Sequence, residues 1–234
     1  MVQSRGRALI LIMATETDIT DKRPLAPFIA YLVFFHAAWA GWVYLLFPAM
    51  KTLGEATLVY ALVNNSIRLL VWVLPVFCYL RYVDGVDPVE YLKLKQNWRR
   101  GMLVGLGFTG INFLLSLTRF GAPHPSARAI TWNSILGTSL LIGFVEEIPY
   151  RGFIFQRFRE RLSFWVANLI SSLLFLAIHL PGWISLHLLS PETIVFVFLF
   201  GILMVVIFRY SGSLWSTIVS HSLNDFLSAV VFRH

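Results

Sequence analysis

Seven apolar stretches, each close to the about 20 residues that a bilayer core demands of a helix, constrain this chain more than anything else in it. They fall at 25–49, 57–80, 101–118, 133–155, 163–181, 192–209 and 213–232. Inside hydrocarbon every backbone N–H and C=O has to find a partner, and apolar runs of this length manage that as helices. The expected fold class is all-α, a polytopic integral membrane helix bundle of about seven spanning helices. Only 13% of the residues are charged, where a soluble domain carries about 25%, so a water-soluble enzyme is excluded.

The basic residues give the orientation. With residues 1–24 placed inside, fourteen Lys and Arg fall in inner segments and four in outer ones, so the N-terminus is expected in the cytoplasm. The net charge of +7 is then a topology signal, and the partner it implies is the lipid bilayer, with no nucleic acid. The expected organisation is a cytoplasmic tail, 1–24, followed by a single membrane domain, 25–234. A lone cysteine, Cys78, lies in an apolar run and offers neither a disulfide framework nor a thiolate metal site. Residues 84–100 mix Val89, Tyr91, Leu92 and Leu94 with basic side chains, the pattern of a short helix along the membrane surface. The polar patch Asn64-Asn65-Ser66-Ile67-Arg68 within the second span reads as helix–helix hydrogen bonding, with a substrate contact as the alternative.

The fourth span is the anomaly. It contains Phe144-Val145-Glu146-Glu147-Ile148-Pro149-Tyr150-Arg151-Gly152, two carboxylates and a guanidinium in an apolar helix. Translocon scales put Asp or Arg at a helix centre at roughly 2.5–3.5 kcal/mol each, so such groups face a bundle interior or a water-filled site. Glu147 and Arg151 are i,i+4 neighbours and can pair, whereas Glu146 points about 100° away, towards the face of Tyr150. Pro149 should free the Val145 carbonyl and kink the helix beside the carboxylates.

Two further polar clusters sit in apolar runs. Phe175-Leu176-Ala177-Ile178-His179 puts a histidine late in the fifth, and His221-Ser222-Leu223-Asn224-Asp225 puts His221, Asn224 and Asp225 on one face of the last. Glu147 precedes the turn near Ser163 by 16 residues and His179 follows it by 16, so both lie about 24 Å from it along an antiparallel hairpin. His221 lies about eight residues into its span, and the three groups converge on one layer open to the cytoplasmic side.

The ordered trio Glu146-Glu147-x-x-x-Arg151, Phe175-x-x-x-His179 and His221-x-x-x-Asp225 resembles the CPBP family of intramembrane endopeptidases, the CAAX prenyl proteases and bacteriocin-processing or immunity proteins also called Abi. The likeness covers about residues 133–232 and extends to Arg151-Gly152-Phe153 and to Ser211-Gly212-Ser213-Leu214-Trp215. It implies a multi-pass protein of a prokaryotic cell membrane with the active site open to the cytoplasm. It also implies an enzyme that cleaves a membrane-associated or lipidated protein or peptide near its C-terminus without a cofactor. Glu146 and His179 would activate the attacking water, His221 and the residue at 225 would stabilise the oxyanion, and Glu147 with Arg151 would brace the site. Position 225 is Asp where Asn is the common alternative, and an ionised Asp cannot donate to an oxyanion. Either Asp225 is protonated, or it orients His221 while Asn224 donates. A zinc ion on Glu146, His179 and His221 is the minority alternative to a metal-free mechanism. A non-catalytic immunity or scaffold protein of the same fold is the competing function, and a proton-coupled transporter a third.

Overall fold

The computed structural model describes residues 23–125 and 129–232, and among them every regular element is helical. Residues 1–22 of the expected tail lie outside the described residues. The helices are α1 (Leu25–Leu53), α2 (Leu58–Val83), the single turn α3 (Pro88–Tyr91), α4 (Trp98–Phe120), α5 (134–159), α6 (Phe164–Ser185), α7 (Pro191–Ser211) and α8 (Trp215–Phe226). A π-type turn, Leu227–Val231, continues α8. Each of the seven apolar stretches is thus a helix, and α1, α2, α4, α6 and α7 are long and apolar enough to cross a membrane. The protein is an integral, multi-pass membrane protein.

The helix ends have local causes. Thr57 accepts the Tyr60 N–H at 3.1 Å and Ser190 accepts the Thr193 N–H at 3.1 Å, capping the first turns of α2 and α7. Gly212, at φ 70°, ends α7 in the left-handed conformation that glycine adopts without penalty. In α5 the helix runs through Pro149 with π-type hydrogen bonding over Ile148–Phe155, which accommodates the carbonyl that proline cannot serve.

The two helices outside the membrane-crossing set, α5 and α8, form the interior. Val145, Ile148, Tyr150, Phe153 and Ile154 of α5 are buried in an aromatic core with Phe28, Tyr31 and Phe35 of α1, Trp72 and Tyr79 of α2 and Phe175 of α6. Because most of α5 from Ile142 on and residues 216–221 of α8 face protein, they can carry polar groups that lipid-facing helices cannot.

Glycines let α8 sit close to its neighbours, the small-residue packing typical of membrane helices. A Cβ on Gly105 of α4 would lie 2.7 Å from the Ser216 carbonyl, and one on Gly143 of α5 would run into the Ile218 carbonyl and Ser222. Gly143→Val is therefore expected to destabilise the fold by about 1–3 kcal/mol by overpacking and to push α8 off α5. Gly110→Val, in open space, should change little. Thermal unfolding of the two variants in detergent checks this.

At the α1 N-terminal end, the segment expected along the membrane surface is docked onto α5. Asp87 caps α3 through the Val89 N–H at 2.8 Å, Leu92 is fully buried, and Gln156 donates to the Tyr91 carbonyl at 2.8 Å. The Tyr91 hydroxyl donates to Glu160 at 2.8 Å, and burial together with that carboxylate holds its phenol well above the ordinary range, so it stays a neutral donor. Glu160 and Asp84 also meet Arg23 at 2.7 and 3.2 Å and Arg157 at 2.8 and 3.3 Å. This clamp fixes the ends of α1, α2 and α5 to one another.

Candidate active site

Glu146 and Glu147 leave α5 in different directions, and each meets its own guanidinium. Glu147 is completely buried, and its Oε1 accepts from Arg151 Nη1 at 3.0 Å and from His221 Nδ1 at 2.6 Å. Arg151 also donates to the Gly201 carbonyl at 3.3 Å and lies flat over the Phe175 ring, 4.1 Å from its centroid. One buried ion pair therefore ties α5 to α6, α7 and α8 and orients the His221 imidazole by holding Nδ1.

Glu146 sits on the other side. Its Oε2 is 3.7 Å from His179 Nε2 and 3.7 Å from His221 Nε2, beyond hydrogen-bond range, and is buried with no hydrogen-bond partner among the described residues. His179 Nδ1 donates to the Phe175 carbonyl at 2.8 Å, one turn back on α6. A carbonyl only accepts, so Nδ1 carries a proton, and in the neutral ring Nε2 presents its lone pair towards Glu146. Two acceptors at this spacing can share one small molecule that donates two hydrogen bonds.

The third histidine contact is with Asp225, whose Oδ2 lies 3.7 Å from His221 Nε2 and is partly exposed. Asn224 turns elsewhere, its Nδ2 donating to Ser220 Oγ at 3.1 Å on its own helix. The structure thus brings Glu146, Glu147, Arg151, His179, His221 and Asp225 together and keeps the Asn224 amide on its own helix. Among the described residues no group of three or more His, Cys, Asp or Glu side chains is spaced to hold a metal ion.

One member of the cluster went unforeseen. Arg68 of α2 reaches Glu146 Oε1 with Nη2 at 3.4 Å and stacks near the Trp39 and Trp72 rings, 5.8 and 6.0 Å from their centroids. The patch that contains it was expected to bond neighbouring helices, and Arg68 does so by joining a carboxylate of α5, whereas Asn65 Nδ2 bonds the Ala61 carbonyl of its own helix at 2.7 Å. A lone cation in an apolar span was the available signal.

No curated protein and no solved structure matches the chain. Residues 128–227, which contain all of α5, α6, α7 and α8, match the Rce1-like family of type II CAAX prenyl endopeptidases, so the CAAX-protease resemblance carried by the three motifs is shown over that stretch.

Proposed function

We propose that the protein is a membrane endopeptidase that hydrolyses a peptide bond near the C-terminus of a membrane-associated or lipidated protein, using a water activated by Glu146 and His179. The observation that carries this reading is the pair of facing acceptors, Glu146 Oε2 and His179 Nε2, with His221 Nε2 at the same distance from the same oxygen. A water about 2.8 Å from both acceptors donates a hydrogen bond to each of them and turns a lone pair towards a bound carbonyl. As its oxygen bonds to the carbonyl carbon, Glu146 takes one proton. His221, protonated and held through Nδ1 by Glu147, donates from Nε2 to the developing oxyanion. The C–N bond then breaks, and the proton on Glu146 passes to the departing amine. In this scheme Asp225 orients His221 from the open side. Glu147 and Arg151 act through His221 as positioning residues.

The test is hydrolysis by the purified full chain in detergent of a quenched-fluorescent peptide bearing an S-farnesyl cysteine three residues from its C-terminus. Mass spectrometry locates the cut. Cleavage near the C-terminus, insensitive to 1,10-phenanthroline, is the expected outcome. No cleavage by folded protein would favour a non-catalytic protein of this fold. Inhibition by the chelator with recovery on adding zinc would replace the metal-free scheme with a zinc one.

A further inference from the structure

Arg68 also lines a cavity of about 220 Å³, walled by Trp39, Trp42 and Phe47 of α1, Asn64 of α2 and Ser185 and Leu186 at the end of α6. These residues lie far from the Arg23–Asp84–Arg157–Glu160 clamp, towards the other ends of α1, α2 and α6. The cavity has apolar aromatic walls and three polar side chains, the Arg68 guanidinium, the Asn64 carboxamide and the Ser185 hydroxyl. Of the Arg68 donors, Nη2 meets Glu146 at a long 3.4 Å, and Nε is buried with no hydrogen-bond partner among the described residues. A desolvated planar fork with donors to spare fits a carboxylate, and the indole and phenyl walls fit an apolar side chain attached to it.

We infer that this cavity receives the C-terminal residue of the substrate and that Arg68 binds its free α-carboxylate, which makes Arg68 the residue that selects for a chain end. The inference rests on the proposed peptidase activity and extends it. Arg68 touches one oxygen of Glu146, while the proposed water lies on the other. The attacked bond and the carboxylate anchor are then separated by a distance on the order of 10 Å, the span of about three extended residues. An anchor at that distance measures the cut from the chain end. It also explains why a cation sits in an otherwise apolar part of α2, where its desolvation is offset by Glu146 and the two tryptophan rings.

The experiment compares free-acid and C-terminal-amide forms of one ligand on the full chain in detergent. Hydrolysis of the farnesyl-cysteine peptide is measured in both forms. Equilibrium binding of the tripeptide Val-Ile-Met is measured as acid and as amide. Wild type should prefer the acid by about tenfold or more in both measurements, and Arg68→Gln should bring the ratio close to one. Arg68→Lys keeps the charge but loses the fork, and should retain a preference several-fold smaller than wild type. A ratio near one in wild type, a preference that survives unchanged in both variants, or no binding of either tripeptide would overturn the inference. If neither peptide is cut but the tripeptide acid still binds in an Arg68-dependent way, the peptidase reading fails and the carboxylate site stands. A merely structural role for Arg68 would lower both forms together and leave their ratio unchanged.

Discussion

Glu146→Gln is expected to lower turnover by about 10²–10⁴ while leaving the protein folded. Gln keeps the shape of the side chain and can still accept from Arg68, so the α2–α5 contact survives. What it loses, in the proposed scheme, is the ability to take a proton from a water between it and His179 Nε2. His179→Ala removes the other acceptor and should cost a comparable factor, and the double variant should be little worse than either, because the two groups hold one water. Turnover within threefold of wild type in Glu146→Gln, at equal protein and unchanged thermal stability, would remove Glu146 from the chemistry.

The largest effect on stability is expected at the other carboxylate. Arg151→Met leaves Glu147 fully buried with His221 as its remaining partner, and breaking a buried pair on one side costs about 3–5 kcal/mol. For a chain of this size that is a fall in Tm on the order of 10 °C. The guanidinium also bridges to Gly201 and covers Phe175, so α6 and α7 lose a contact at the same time. Arg151→Met combined with Glu147→Gln should recover part of the stability, since no uncompensated charge then remains. The recovered protein should stay poorly active, because a neutral amide holds His221 Nδ1 less strongly than a carboxylate does. Thermal unfolding of the single and double variants in detergent, read beside peptide hydrolysis, separates the two effects. Equal stability of the Arg151→Met and double variants would refute the ion-pair account.

Much of this was legible before any coordinates, for reasons that differ from residue to residue. Helix positions followed from the length of apolar runs, so 57–80 and 163–181 differ from Leu58–Val83 and Phe164–Ser185 mainly at their ends, where solvent and caps decide. That the α5 carboxylates and His179 share one layer followed from the equal residue counts from Glu147 and His179 to one tight turn, a local geometry, although it is the adjacent Glu146 that meets His179. The Glu147–Arg151 pair followed from i,i+4 spacing for the same reason.

The illegible parts are those set by the rotation of helices distant in sequence. Asn224 and Asp225 both lie within one turn of His221 on α8, and spacing alone does not say that Asp225 turns to its imidazole while Asn224 bonds Ser220. Arg68 lies 78 positions before Glu146, and no local spacing links them. The same is true of His36 in α1. Its Nδ1 donates to the Leu32 carbonyl at 2.8 Å, and its Nε2 lies 3.4 Å from the hydroxyl of Tyr150.

The central claim is that Glu146 drives hydrolysis near the C-terminus of membrane-associated proteins. The most direct measurement compares the C-termini of membrane proteins by mass spectrometry in cells producing either the wild-type chain or Glu146→Gln at matched levels. The account predicts a defined set of proteins that keep longer C-termini only in the mutant cells, and the shortened ends name the substrates and the cut. Identical C-termini in both, with the variant protein folded and present in the membrane, would contradict it.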